Sequence, residues 1–150
     1  MHLRHVVDAD LPVLFEHQCD PEAVTMAHFP PRDRDAFLIH WRTRVLGSPT
    51  STPRTIEVDG QVAGYVTSWQ PAEGPRELGY WLGRAYWGRG IASEAVRAFL
   101  SSCETRRPLV ALVAAHNVAS RRVLEKCGFV AVGEPVMGAD GVGEVTLRLA

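Results

Sequence analysis

Residues 82–92, LGRAYWGRGIA, run directly into an apolar helical pattern that begins at Ile91. Gly88 and Gly90 fall where a strand would end and a helix begin. This junction constrains the chain more than any other stretch, because it asks for a layered fold in which a tight turn sets a helix N-terminus beside the end of a strand. Backbone N–H groups then converge at the positive end of the helix dipole, an arrangement that holds phosphate. Gly90 lets the backbone approach a ligand with no side chain between them, and Ala92 keeps the first helical turn thin. Glycines also close ordinary strand-to-helix loops, so the turn alone does not establish a ligand site.

Length and composition bound the rest. A chain of 150 residues is read as one domain, 1–150, long enough to bury a single core. Its 46% apolar and 22% charged residues are those of a soluble globular protein. No apolar run approaches the ~20 residues that span a bilayer, and the N-terminus lacks a signal-peptide pattern, so the expected location is the cytoplasm. The net charge of −1, without a block of like charges, favours neither nucleic acid nor a membrane as partner. Cys19, Cys103 and Cys127 are an odd set without Cys-x-x-Cys spacing, which argues against a disulfide framework or a zinc site. The histidines are scattered, and no metal is expected.

Apolar periodicity sets out the elements. A first strand covers 3–7. Asp8 or Asp10 then caps a helix carrying Leu11, Leu14, Phe15 and Cys19, with Pro12 in its first turn. After an irregular aromatic segment, 26–31, a second helix runs from Asp33 or Asp35 to Leu46, with Phe37, Leu38, Trp41 and Val45 as its stripe. Strands 55–58 and 62–66 flank Asp59-Gly60, a hairpin signal because type I′ turns want residues that tolerate positive φ. Strand 77–82 leads through the glycine turn into a helix that buries Ala92, Ala95, Val96, Phe99 and Leu100. Residues 109–114 are a continuous apolar run, expected to be a strand covered on both faces. A helix from Asn117, a strand over 130–136, a glycine-rich turn at 138–143 and a strand over 145–149 complete the chain. Antiparallel strands followed by strand–helix–strand–helix–strand predict a mixed sheet with helices on both faces.

Asn117-Val118-Ala119-Ser120 opens the last helix, and Glu125-Lys126-Cys127-Gly128-Phe129 closes it. With the glycine turn, these segments resemble the GNAT superfamily of acetyl-CoA-dependent N-acetyltransferases. The pyrophosphate motif of that family, Gln/Arg-x-x-Gly-x-Gly/Ala, is matched by Trp87-Gly88-Arg89-Gly90-Ile91-Ala92, with Trp87 standing at the first position. Its Asn followed about eleven residues on by Gly-Phe is matched by Asn117 and Gly128-Phe129. The wider string ELGYWLGRAYWGRGIASEA is similar to the RimJ/RimL-like branch, which acetylates N-terminal amines of ribosomal proteins. Arg4, Asp10-Leu11 and Asp20-Pro21 extend the match over nearly the whole chain. The resemblance implies an α+β fold of three layers, αβα, around a mixed sheet of six to seven strands.

It also implies acetyl transfer from acetyl-CoA, the cosubstrate, to a primary amine on a peptide N-terminus or a small molecule. Donors for the pyrophosphate would come from backbone N–H groups of Trp87, Gly88, Arg89, Gly90, Ile91 and Ala92. The Arg89 side chain either adds a charge-assisted contact or is a solvated turn residue. The extended pantetheine arm would lie beside a strand, with Trp81, Leu82 and Gly83 as backbone partners. Asn117, a natural N-cap, would reach it from the other wall. In the family this strand splays from the next, here 109–114, and a backbone N–H in the gap polarises the thioester carbonyl. An attacking amine must be neutral, which an α-amine of pKa ~7.7–8.0 partly is and a lysine-like amine near ~10.4 is not. Glu77 is the candidate general base, acting directly or through water; otherwise it is an exposed carboxylate paired with Arg76. The tyrosine that protonates the thiolate in many members is Leu124 here. Ser120 is therefore the candidate donor, or else a hydroxyl satisfying local backbone.

Two rival readings exist. Gly88-x-Gly90-x-x-Ser93 is a partial dinucleotide motif, but residues 105–116 hold no acid for a ribose, and the turn follows a hairpin instead of opening the domain. A GNAT-fold domain that binds acetyl-CoA only as a sensor or structural ligand is the other. A homodimer is left open. Acceptor choice falls to residues 26–34 and 136–144, which carry no motif.

Overall fold

The computed structural model describes residues 1–150. Seven strands form one sheet: β1 (His2–Arg4), β2 (Arg54–Val58), β3 (Gln61–Trp69), β4 (Arg76–Leu82), β5 (Leu109–Ala114), β6 (Val130–Met137) and β7 (Gly143–Leu149). Their order is β1-β2-β3-β4-β5-β7-β6, and every neighbouring pair is antiparallel except the parallel β4–β5. This is the mixed α+β sheet expected from the sequence. Asp59 and Gly60 join β2 to β3 with φ of 51° and 75°, as a type I′ turn requires.

Helices α4 (Ile91–Ser102) and α5 (Val118–Lys126) pack on one face of the sheet. Ala95, Val96 and Phe99 of α4 and Leu124 of α5 meet Leu78, Leu109, Ala111 and Leu147 in the main core. Helices α1 (Leu11–Gln18), α2 (Pro21–Ala27) and α3 (Arg34–His40) belong to the other side. There Leu11, Leu14, Phe37 and Trp41 form a second, smaller cluster against Tyr65.

Four expectations are corrected. Asp10 does not cap α1 with its side chain; its carboxylate accepts from the two terminal nitrogens of the Arg4 guanidinium at 2.8 Å and from the Thr55 hydroxyl at 2.8 Å, tying the first helix to β1 and β2. Residues 21–27, read partly as irregular, are helical, because Asp20 accepts from the Glu22 N–H and Pro21 pre-sets the first turn. The helix expected to reach Leu46 widens after His40 into a π turn over Trp41–Val45. The β5 strand is covered fully on one face only. Leu112 is 47% exposed, because α2 reaches the other face incompletely and leaves a cavity over it.

Candidate active site

The parallel pair β4–β5 bonds only at Arg76–Leu109 and Glu77–Val110, after which the strands separate. Bond parity says which β4 groups face the resulting gap. Gly83 N–H donates to Ala63 O at 2.8 Å, and the β3–β4 register is unbroken through Gly79, so Trp81, Gly79 and Glu77 also turn their backbone groups toward β3. Leu78, Tyr80 and Leu82 therefore present theirs to the gap. Of the three backbone partners expected on this strand, only Leu82 faces it. Its carbonyl already accepts the Trp87 Nε1–H at 2.9 Å, which leaves its N–H. The unbroken register also excludes a bulge at Gly79.

The closed end of the gap is pinned by charge. Glu104, fully buried after α4, accepts from Ser68 Oγ and from Arg76 Nε at 2.5 Å each, and from Arg106 at 3.0 Å. Burial pushes its carboxyl up, but the bonds from Ser68, Arg76 and Arg106 outweigh that and hold it down at about 2. Arg76, the alternative partner considered for Glu77, is thus committed elsewhere.

At the open end stands the glycine turn. Gly88 and Gly90 have φ of +72° and +74°, which side-chain-bearing residues rarely adopt, and the space over both is open. No side chain caps α4, and none of the N–H groups of Gly88, Arg89 and Gly90 is spent on a backbone carbonyl. With the free first-turn N–H groups of Ile91 and Ala92 they make a run of converging donors. Trp87 is outside that run, since its N–H is spent on Arg84 O and its indole on Leu82 O. Arg89 stacks over Tyr86 at 5.7 Å and forms no ion pair.

The α5 wall carries the polar side chains. Asn117 caps the helix, its Oδ1 accepting from Ser120 N–H at 3.2 Å, which leaves Nδ2 as a donor. The Ser120 hydroxyl is not bound to local backbone. It meets the Tyr80 hydroxyl at 2.8 Å. Burial pushes the Tyr80 phenol up to about 12, so it stays protonated. Tyr80 escaped the sequence reading because it reads simply as a core aromatic of a strand; the signal lies in its pairing with Ser120, across 40 residues.

On the opposite face, Glu77, Gly79 and Trp81 border a cavity of about 1190 Å³. It is lined by residues from both segments expected to choose the acceptor, among them Phe29, Arg32, Asp140 and Glu144. His28 Nε2 meets Asp140 at 2.5 Å and so links those two segments over the cavity. Glu77 is half-buried. Burial raises its carboxyl pKa, the nearby Glu144 charge raises it further, and the Trp69 side chain opposite it on β3 pulls it partly back. Glu77 and Ser120 thus line one cavity, together with Asn117 and Leu112.

A family model described as acetyltransferase (GNAT) domain matches residues 1–130, and the chain belongs to this acetyltransferase family. No curated protein sequence matches it. Among solved structures it is similar to spermidine N-acetyltransferase from Vibrio cholerae in complex with CoA and spermine. That TM-score is 0.83 at 14% identity, covering 99% of this chain and 94% of that one. An aminoglycoside acetyltransferase, AAC(6')-Ib, in complex with coenzyme A and kanamycin gives 0.75 at 21% identity, covering 96% and 92%. A GNAT-family acetyltransferase from Bacillus anthracis gives 0.79 at 17%, covering 98% and 92%. At these identities the likeness shows the fold.

Proposed function

We propose that this protein is an N-acetyltransferase that moves acetyl from acetyl-CoA to a primary amine within a ternary complex. The carrying observation is the gap between β4 and β5, with unspent backbone donors at its open end and the half-buried Glu77 at its closed end. The N–H groups of residues 88–92 take the pyrophosphate. The exposed strand edge of Leu78, Tyr80 and Leu82 takes the amide-rich pantetheine, and Asn117 Nδ2 donates to one of its carbonyls. A Leu78 or Tyr80 N–H polarises the thioester carbonyl as charge develops on its oxygen.

Glu77, directly or through one water, accepts the proton of the incoming ammonium, a task that its raised pKa suits. The amine nitrogen bonds to the acetyl carbon as the carbon–sulfur bond breaks. Ser120 gives its hydroxyl proton to the departing thiolate and recovers one from Tyr80, which is reprotonated from water. The products are the N-acetylated amine and the free thiol of CoA. The RimJ/RimL-like string supports a peptide N-terminus as acceptor, the polyamine and aminoglycoside held by similar structures support a small amine, and the composition supports a cytoplasmic enzyme. Incubation with acetyl-CoA and a broad amine panel should release thiol only when an acceptor is present. Binding of acetyl-CoA with no turnover on any amine would mark a non-catalytic sensor, and no binding would end both readings.

A further inference from the structure

Gly79 is a residue of β4 whose identity the proposed chemistry does not explain. It is not a bulge and its φ is not positive, so the backbone itself does not require a glycine there. The side chain of Trp69 does. A Cβ on Gly79 would stand 3.2 Å from Cη2 and 3.3 Å from Cζ3 of that indole, so the far edge of the ring lies against bare backbone.

Trp69 and Glu77 are directly opposed at the end of the β3–β4 ladder, and Gly79 is the next residue of β4 on the same face. The indole therefore starts opposite Glu77 and reaches diagonally across to Gly79. All three residues border the acceptor cavity. No cation pairs with Glu77, because its neighbour Arg76 is spent on Glu104 and on Thr50 O. The hydrogen bond that its carboxylate receives comes from the Trp69 side chain, whose single donor is the indole N–H. Glu144 of β7 is the charged group that acts on it.

A glutamate side chain has several rotatable bonds, and a base must be held within reach of the proton it takes. A broad, stiff ring packed against the sheet can do that holding. We infer that Trp69 is a positioning residue for Glu77: its indole N–H holds the carboxylate at the cavity wall, and Gly79 seats the ring that carries the N–H. This deepens the acetyltransferase reading and rests on Glu77 as its general base. It also gives Gly79 a role, since any larger residue there would displace the ring.

Two variants and one resonance test this. Trp69→Phe keeps a ring and removes the N–H. Losing a bond to the charged form raises the Glu77 pKa, so the acidic limb of the pH–rate profile should move to higher pH, on the order of half a unit. Alongside it, kcat should fall several-fold with KM for acetyl-CoA unchanged. Loss of the Glu144 charge would move the limb the other way. Gly79→Ala displaces the ring by a few tenths of an ångström and should shift the limb in the same sense as Trp69→Phe, by less. It stands in for Trp69→Phe if that variant does not fold. In the wild type, the Trp69 Nε1–H resonance should shift with pH as Glu77 titrates, and should cease to do so in Glu77→Gln. A limb left in place by the folded variant, or an indole resonance indifferent to Glu77, overturns the inference. Should Glu77→Gln keep full activity, the base reading has failed, and the resonance alone decides whether Trp69 holds that carboxylate.

Discussion

Glu104 and Gly90 stand at opposite ends of one gap, and the two ends are built from different material. At the closed end, side chains from β3, β4 and the segment after α4 converge on a single buried carboxylate, and the bonds from Ser68, Arg76 and the Arg106 guanidinium depend on residue identity. At the open end the chain contributes backbone, a turn of positive φ whose N–H groups are left unspent. A charge network fixes where two strands must meet. A backbone surface binds a ligand without demanding particular side chains around it. The comparison teaches that the gap is a product of both: the strands separate because something holds them together first.

The sharpest way to break this comparison is at the closed end. Glu104→Gln leaves Arg76 buried without its counter-charge and should cost 3–5 kcal/mol of unfolding free energy, roughly, by chemical denaturation. The folded pKa of Glu104 is depressed, so its stabilisation is complete above the ordinary glutamate value of 4.5 and is lost as pH falls through about 2. Acid unfolding of the wild type should fall within that window, and the Gln variant should lack that component.

Next in size is Glu77→Gln, expected to cut kcat/KM by a factor on the order of 10² and to remove the acidic limb of the pH–rate profile, with acetyl-CoA affinity retained. A variant keeping full activity and the same limb would assign the proton to water or to another group. Gly90→Val should weaken acetyl-CoA binding at least tenfold, about 1.4 kcal/mol, by calorimetry. Because φ at Gly90 is +74°, the substitution also strains the turn, so its melting curve must first show a folded protein. Unchanged affinity in that folded variant would take the turn out of the site.

Ser120→Ala should lower kcat several-fold, more than it raises KM for acetyl-CoA, and Tyr80→Phe should act in the same sense. A rise in KM with kcat intact would reduce Ser120 to a binding residue. The smallest effect belongs to Glu144→Gln. Removing that negative charge eases ionisation of Glu77, so the acidic limb should move to lower pH.

The open end was legible in the sequence because it is local: Gly88, Gly90 and the helix they open lie within a few residues, as do Asn117 and Ser120. The succession of strands along the chain was legible for the same reason, since alternation and the Asp59-Gly60 turn are short-range signals; the place of β7 between β5 and β6 was not. The closed end was not, because Ser68, Arg76 and Glu104 are spread over 36 residues and each alone reads as an ordinary polar residue. Parity was missed too. Whether Trp81 or Tyr80 turns its backbone to the gap depends on the register with β3, which no single strand encodes. Helix α2 escaped because its seven residues are too few for periodicity to speak, and only the Asp20 cap betrays it.

The separation of β4 from β5 has a thermodynamic consequence. Past Glu77 and Val110, two strand edges in the middle of the sheet face each other without a ladder. A ligand that lays an extended, amide-bearing chain there adds its binding energy to the folding equilibrium, because the unfolded chain offers it no such slot. At a ligand concentration of 100 times Kd the gain is about 2.7 kcal/mol, a sizeable share of the marginal stability typical of a single domain. The lifetime of the folded chain in a cell would then rise and fall with the supply of the ligand that completes its sheet.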